Sequence, residues 1–538
     1  MTVVPFDKLG SVGIIKDLPD HQLPPEAWTD GLNIRFIDGK AARIKGDQEV
    51  FGTPTQAPYW GIFVPTADNR YWVYASLTDI FSYDVATAVH TEITRVSGDY
   101  TGDFSNKWNG CIFQGLPVIT NGKDVPQVWN PPSAGTKLVD LTNWPSGDSC
   151  RYVRAFKSNI VALDVTKSGT RYQHMVKISH PADPGTVPSS WDETDPTKDV
   201  YEKDLSDVRG GAILDGLGLR DSFMIYKEGS TWGLNFIGGR SLWRPFEVFQ
   251  FSGILTTNCV RPVIGRNRSG AVHFVATGDD IITHDGNAAT SLIDQKRKRW
   301  LSNNIDTTAF VNSYCVLNPL NSEMWFCFPK PGATYPDHAL IWNYNDNTVF
   351  DRALSEAAFI APGAVALTIP GGALTWATVT ETWDTIDELW DESVFGQALN
   401  NLVLFDPTNI KARQLDITNQ FSGVNFSSYL ERTGLAIVGR DRQGNPIVDL
   451  DSIKTVSRIW VRASGDPFTV RVGSQEQIDG DITWTDPVSF DPSTDKFIDL
   501  LDSFVPGRLI AVRFESNTNG YWALSGYDLD VSIIGRGA

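Results

Sequence analysis

Short runs of alternating apolar and polar residues recur along almost the whole chain, and each run ends at Gly, Asn, Asp or Pro. Clear examples are Arg70–Asp84 (RYWVYASLTDIFSYD), Ser222–Phe236 (SFMIYKEGSTWGLNF) and Val272–Gly286 (VHFVATGDDIITHDG). A two-residue apolar period bounded by turn residues indicates β-hairpins, and long patterns with the 3.6-residue period of a helix are almost absent. The pattern therefore predicts an all-β protein.

The spacing of the hairpins predicts how the strands are arranged. Successive hairpins begin about 45 to 60 residues apart, with one gap about twice as long. A fold that repeats four-stranded blades around an axis has this spacing. A stack of antiparallel sandwiches would also contain hairpins, but it would space them less evenly. The spacing favours a β-propeller and does not fix the number of blades.

Changes in strand length and composition divide the chain into three predicted parts. Residues 1–50 are expected to form an N-terminal strap and a first hairpin, and residues 51–408 the β-propeller. After residue 408 the apolar runs become longer, which predicts a β-sandwich-like domain over residues 409–538.

Two stretches interrupt the regular succession of hairpins and are expected to be insertions in the propeller. Residues 179–207 are rich in Pro and Asp, as in a long surface loop. Residues 369–396 carry Trp376, Trp383 and Trp390 at seven-residue intervals. A helix seam would give this interval, but the neighbouring Thr and Asp favour aromatic side chains that brace turns.

Charge and composition exclude several functions. The formal net charge is −18 and the pI is about 4.8, which argues against a surface that grips nucleic acid through its phosphates. The five cysteines and seven histidines lack the spacing of a zinc site or a disulfide framework, so we expect no metal and no cofactor. No apolar run is long enough to span a bilayer, and the N-terminus lacks the features of a signal peptide. Synthesis in a cytoplasm is expected.

The sequence contains no clear catalytic motif. Paired carboxylates such as Asp279 and Asp280 require a glycosidase to be considered, but acidic turn residues account for them. The stretch Glu228–Gly233 (EGSTWG) matches half of the Asp box of sialidase propellers, yet Ile225 and Lys227 replace the expected Ser and Asp. We therefore expect a protein that is not an enzyme.

The strongest local positive charge is the run DQKRKRW over residues 294–300. Its side chains are candidates for a contact with a neighbouring subunit or with DNA, and a solvated face or a subunit contact is favoured. The candidates are Lys296, Arg297, Lys298 and Arg299.

The opening segment Asp17–Gly46 combines an extended proline-rich strap, with Trp28 as its anchor, and a hairpin whose tight turn is Asp38-Gly39. Its four cationic side chains are expected to face an acidic neighbouring subunit; they are Arg35, Lys40, Arg43 and Lys45.

This segment resembles the N-terminal signature of the nozzle proteins of short-tailed bacteriophages, also called tail tubular protein B or packaged-DNA stabilisation proteins. The matching positions are Leu18, Pro19, Leu23, Pro24, Trp28, Asp30, Asn33, Arg35, Phe36, Asp38, Gly39, Arg43 and Gly46. Further matching stretches are Asp221–Gly239, Phe246–Ile254, Val272–Gly286, the region around Trp383 and Trp390, and Gly507–Val531. Together they extend over nearly the whole chain.

The resemblance implies a structural protein of the virion, synthesised in the bacterial cytoplasm. Such proteins form a homo-oligomer, typically a hexameric ring, below the portal and adaptor, and they adjoin tail fibres or spikes. They retain packaged DNA and provide the channel for genome ejection, so DNA passes without specific binding. The implied structural or interface residues are Trp28, Asn33, Arg35, Phe36, Asp38, Gly39, Arg43, Trp383 and Trp390. The alternatives are a tail-associated propeller that binds a host glycan, and a glycosidase or depolymerase.

Overall fold

The computed structural model describes residues 2–66, 69–207, 211–239, 242–250, 252–263, 271–365, 401–443, 446–478, 480–500 and 505–536. Within these residues almost all regular structure is β-strand. The exceptions are one α-helix, α1 (Lys298–Asn304), and two single-turn 3-10 helices, Asp20–Gln22 and Phe310–Asn312. The predicted all-β class is confirmed. None of the described helices is long and apolar enough to cross a membrane.

The first fifty residues contribute five short strands to three different sheets. These strands are β1 (Thr2–Asp7), β2 (Asp30–Leu32), β3 (Ile34–Ile37), β4 (Lys40–Arg43) and β5 (Asp47–Val50). β1 and β4 pair with the last strand of the chain, and β2 pairs with the strand that begins at Ser428. Residues from the two ends of the chain are therefore hydrogen-bonded to each other.

Between Trp60 and Leu415 the described chain forms six four-stranded antiparallel sheets and three strands of a seventh, and these sheets follow one another in sequence order. Sheet 1 contains β6 (Trp60–Pro65), β7 (Arg70–Ala75), β8 (Ile80–Asp84) and β9 (Val89–Glu92). Sheet 2 contains β10 (Asn109–Phe113), β11 (Leu116–Thr120), β12 (Gln127–Val128) and β13 (Val139–Asp140). Sheet 3 contains β14 (Ser149–Phe156), β15 (Asn159–Lys167), β16 (Thr170–Ile178) and β17 (Tyr201–Asp204).

The next three sheets repeat this order. Sheet 4 contains β18 (Ile213–Leu219), β19 (Ser222–Lys227), β20 (Thr231–Phe236) and β21 (Trp243–Phe249). Sheet 5 contains β22 (Val260–Val263), β23 (Val272–Ala276), β24 (Ile281–His284) and β25 (Ala289–Ser291). Sheet 6 contains β26 (Tyr314–Asn318), β27 (Glu323–Phe328), β28 (His338–Asn343) and β29 (Thr348–Ala353).

Sheet 7 differs because its fourth strand comes from the beginning of the chain. It contains β30 (Phe359–Gly363), β31 (Asn401–Asp406), β32 (Lys411–Leu415) and β5. In the β5 pairing, Asp47 lies opposite Leu415 and Val50 lies opposite Ala412. An early strand thus completes a sheet whose other three strands lie far along the sequence.

The seven sheets are neighbours in cyclic order. The first strand of each sheet contacts the first strand of the next sheet, from β6 and β10 to β26 and β30, and β30 contacts β6. Buried apolar side chains fill the spaces between adjacent sheets. For example, Trp72 of sheet 1 packs with Phe405 of sheet 7, and Phe156 of sheet 3 packs with Phe223 of sheet 4.

The rest of the chain forms a two-sheet unit. Its strands are β33 (Ser428–Leu435), β34 (Ile437–Arg440), β35 (Pro446–Val448), β36 (Ser452–Gly465), β37 (Phe468–Gln475), β38 (Thr483–Trp484), β39 (Val488–Phe490), β40 (Phe497–Asp499), β41 (Leu509–Ser516) and β42 (Trp522–Arg536). One six-stranded sheet has the order β3-β4-β42-β36-β40, with β1 also on β42, and the other has the order β2-β33-β41-β37-β38, with β39 also on β37. Their facing apolar side chains form one core, which continues into sheets 6 and 7.

The hairpin expected at Asp38-Gly39 is present between β3 and β4. Both turn residues have positive φ, 51° and 75°, as a two-residue turn of this type requires. β4 pairs with β42 of the two-sheet unit and not with a strand of sheet 1. The first strand of sheet 1 begins only at Trp60.

The two expected insertions have different outcomes. Residues 179–207 lead from β16 to the last strand of sheet 3, and most of them form a loop. Trp191 of this loop is buried against Trp144, with ring centroids 4.6 Å apart, so the loop is anchored and not merely a solvated excursion. The other insertion, residues 369–396 with Trp383 and Trp390, lies entirely outside the described residues.

Candidate functional site

The candidate residues of the opening segment lie close together, where the β3–β4 hairpin meets sheets 6 and 7 and the two-sheet unit. Trp28, Asn33, Arg35, Phe36 and Arg43 are all buried there, whereas Asp38 and Gly39 lie in the exposed turn of the hairpin. We call this region the junction. Its polar side chains connect parts of the fold that lie far apart in the sequence.

A buried charge network lies at the centre of the junction. The guanidinium of Arg35 donates two hydrogen bonds to the carboxylate of Glu323, at 2.5 and 3.1 Å, and one to Asp416 at 2.7 Å. Arg352 donates to the other oxygen of Asp416 at 2.5 Å, and the indole N–H of Trp325 donates to Glu323 at 2.9 Å. The hairpin is thereby bonded to sheet 6 and to the end of sheet 7.

Two guanidinium groups and two carboxylates share this network, so their formal charges cancel. Burial by itself would raise the pKa of Asp416, but Arg35 and Arg352 outweigh burial and hold that pKa at about 2. Asp416 is therefore ionised at neutral pH. Removal of Arg35 would leave the buried Glu323 without its cation, which costs far more than the loss of a surface ion pair.

Arg43 joins the hairpin to the two-sheet unit in a different way, through backbone carbonyl groups. Its guanidinium donates to the carbonyl oxygens of Thr518 at 2.6 Å, Phe426 at 3.0 Å and Gly520. It also stacks on the Phe426 ring, 4.2 Å from the centroid. Burial lowers the pKa of Arg43, and the more distant charge of Asp466 opposes this effect.

Asn33 bridges two sheets of different units. It has a left-handed φ of 59°, which Asn tolerates better than most residues. Its side-chain amide donates to the carbonyl of Ser427 at 2.7 Å and accepts the backbone N–H of Ala353 at 2.8 Å. The first contact reaches the two-sheet unit and the second reaches β29 of sheet 6.

Trp28 and Phe36 fill the apolar part of the junction. The indole N–H of Trp28 donates to the carbonyl of Leu9 at 2.9 Å, and its ring meets that of Phe514 edge to face. Phe36 packs edge to face on Phe350 of sheet 6, with centroids 5.9 Å apart. Both side chains were predicted from the sequence as structural or interface residues, and both lie in the core that joins the units.

The basic run at residues 294–300 packs against the N-terminal segment of the same chain. Arg297 is 0% exposed and pairs with Asp351 of sheet 6. Lys16 lies 3.6 Å from the same carboxylate and 2.5 Å from Asp30. The expectation that Arg297 contacts DNA or a neighbouring subunit is therefore wrong, because the chain itself encloses this side chain.

The other members of the run have less enclosed positions. The backbone carbonyl of Lys296 accepts N–H bonds from the N-terminal segment, and Lys298 pairs with the exposed Asp279 at 3.1 Å. The Asp17 carboxylate accepts the backbone N–H of Arg299 at 2.7 Å, near the start of α1, where the exposed N–H groups favour a negative charge. The side chain of Arg299 is exposed.

A second buried polar group lies between sheets 4 and 5. The hydroxyl of Tyr226 is 2.6 Å from a ring nitrogen of His273 and 2.8 Å from one of His284. Burial lowers the pKa of His273 to about 3 and that of His284 to about 4, so both rings are neutral at pH 7. In the described part of the chain, no group of three or more His, Cys, Asp or Glu side chains is placed to hold a metal ion.

Sequence reasoning missed the partners of the junction, which are Glu323, Arg352 and Asp416. One signal was present for Glu323, because it opens the apolar run Glu323–Phe328 (EMWFCF), where an isolated carboxylate in a buried strand needs a cation. Nothing local indicated that Arg35, 288 positions earlier, would supply that cation.

The comparison with known proteins gives no independent assignment: no family model matches this sequence, and no significantly similar protein was found among curated sequences.

Proposed function

We propose that this protein is a structural, non-enzymatic component of a short phage tail, where it forms the distal nozzle that retains packaged DNA and conducts it during ejection. In this proposal the seven four-stranded sheets are the blades of a β-propeller and the two-sheet unit is a β-sandwich-like domain. Several copies, typically six, form a ring below the adaptor and portal, and the ring adjoins fibres or spikes.

The observation that carries the proposal is that the signature residues connect the N-terminal hairpin to the rest of the fold. Asn33, Arg35, Phe36 and Arg43 belong to the segment that resembles the nozzle family, and each one bonds the N-terminal hairpin to another part of the fold. None of these four side chains is exposed, so their role within the chain is to hold units together. Signature residues that serve to connect parts of the fold, and not to bind a ligand, favour a structural protein.

The arrangement of the sheets supports the propeller. The first strands follow one another in cyclic order and return to the first sheet, and a strand from the N-terminal segment completes the last sheet. Closure of this kind leaves few exposed sheet edges, which suits a body that is packed among other subunits.

The charge balance suits a channel for DNA. A wall with few cations releases few counterions on contact with phosphates and therefore does not hold the passing strand. The chain has 64 Asp and Glu residues against 46 Lys and Arg. We expect the lumen of the assembled ring to be predominantly acidic, and a predominantly basic lumen would refute this part of the proposal.

Electron microscopy of the purified protein mixed with portal and adaptor proteins of a short-tailed phage tests the assignment. We expect a ring that docks coaxially below the adaptor. As a control, a chain that lacks residues 17–30 loses Trp28 and is expected to fail in folding or in ring assembly. A full-length protein that stays monomeric and ignores both partners would refute the nozzle assignment.

A further inference from the structure

A cleft of about 460 Å³ opens at the junction, beside the β3–β4 hairpin. It is bordered by that hairpin, by the turn after β26, by β32 and its following residues, and by the loop before β42. Three large apolar side chains at this cleft are exposed: Leu320 by 43%, Ile417 by 42% and Tyr521 by 36%. Apolar side chains that gather around one cleft indicate a surface that a partner covers.

Side-chain amide groups of Asn321 and Gln414 line the cleft. Asn321 donates its amide N–H to Asp416 at 3.2 Å, which leaves its carbonyl oxygen as an acceptor. Gln414 lines the same cleft, is partly exposed, and makes no side-chain hydrogen bond to any residue in the described ranges. Side-chain amides can pair with both the N–H and the C=O of an extended peptide.

The cleft also carries unmatched positive charge. Arg35 and Asp416 belong to the network with Glu323 and Arg352, in which the charges cancel. The remaining charged side chains of the lining are Arg43 and Lys45. Across the described residues, neither has a carboxylate within ion-pair distance, and Lys45 is exposed at the cleft.

We propose that this cleft docks an extended acidic peptide segment with large apolar side chains, supplied by another protein chain. A carboxylate of the segment pairs with Lys45, in the field of Arg43, while its apolar side chains cover Leu320, Ile417 and Tyr521. Gln414 bonds the peptide backbone. Charge complementarity selects this occupant, because a polyanion without apolar groups would leave the exposed apolar side chains uncovered, and a basic segment would be repelled.

The inference does not depend on the nozzle assignment, because it rests only on the lining of the cleft. The probe is a short fluorescent peptide of alternating acidic and large aliphatic residues, titrated into the full-length protein while fluorescence anisotropy is recorded. A second peptide, with each carboxylate replaced by the corresponding amide, tests the requirement for negative charge.

We expect the acidic peptide to bind and the amide peptide to bind much more weakly. Lys45→Glu is expected to weaken binding by about tenfold or more, since an attraction becomes a repulsion. Leu320→Ser is expected to weaken it separately through the lost apolar contact. The matched control is Lys203→Glu, the same charge reversal at an exposed lysine of sheet 3. Circular dichroism verifies that each variant is folded.

Equal affinity of the wild type and the Lys45→Glu variant would overturn the proposal, and so would the absence of binding to the wild type. Equal losses in the Lys45→Glu and Lys203→Glu variants would overturn it as well, because they would show a non-specific effect of net charge. A failure here leaves the nozzle assignment standing, since ring assembly on the adaptor is measured independently.

Discussion

Replacement of Arg35 by Met removes the cation that joins the hairpin to sheets 6 and 7. Glu323, which is fully buried, would lose both bonds of a bidentate pair, and Asp416 would retain only Arg352. Loss of one partner from a buried pair costs about 3 to 5 kcal/mol. If the 538 residues unfold as one unit, the entropy of unfolding is about 1.1 kcal/mol/K, so the melting temperature should fall by about 3 to 4 °C.

Lys411→Met is the matched control for this prediction. Lys411 pairs with Glu49 of β5 at 2.9 Å, so it also joins the N-terminal segment to sheet 7, but its side chain is 27% exposed and that of Glu49 is 46% exposed. A surface pair of this kind contributes about 0 to 1 kcal/mol, which corresponds to a shift of less than about 1 °C. Differential scanning calorimetry measures both variants. Equal decreases in the melting temperatures of the two variants would refute the reasoning, because they would show that the buried Arg35 network stabilises the protein no more than a surface ion pair does.

Two further predictions concern pH and backbone packing. Burial lowers the pKa values of His273, His284 and His338 to about 3, 4 and 4, while the unfolded rings titrate near 6.5. Only the unfolded state therefore gains protons as the pH falls from 6.5 to 4. The free energy of unfolding is highest above pH 6.5 and decreases through this range, by up to about 3 kcal/mol per histidine. The melting temperature should follow this profile, with a smaller loss in a His284→Asn variant, and equal losses in wild type and variant would contradict the assignment. In the Gly46→Ala variant, the new Cβ would lie 2.0 Å from a backbone carbonyl oxygen, so we expect the free energy of unfolding to fall by about 1 to 3 kcal/mol. Gly278→Ala is the control, because no atom lies within 4 Å of its new Cβ, and it should have little effect. Similar melting temperatures for the two variants would argue against a close approach of the backbone at residue 46.

Local features of the sequence were sufficient for the fold class and for one turn. Runs such as Val272–Gly286 consist of short apolar segments bounded by turn residues, and this strand signal depends only on neighbouring residues. The Asp38-Gly39 turn was likewise predictable, because few other residue pairs adopt two successive positive φ angles. Trp28 and Phe36, which the sequence indicated as structural or interface residues, are both buried, and large aromatic side chains gain most from burial.

The environment of the charged residues could not be predicted in the same way. Arg35 and Arg43 were interpreted as part of an outward positive cluster, yet both are buried and bonded within the chain. An arginine in a short strand has the same local sequence whether it faces solvent or a buried carboxylate. The same limit applied to Arg297, whose partner Asp351 belongs to another sheet.

Short antiparallel strands, a strong negative charge and a hairpin turn at residues 38 and 39 could all be inferred from the sequence. The structure was needed to find that β5 completes sheet 7, that β4 pairs with β42, and that Arg35 bonds to Glu323. The difference lies in the range of the interactions. Strand propensity and turn geometry are set within a few residues, whereas sheet partners and buried ion pairs are selected by packing between segments hundreds of residues apart.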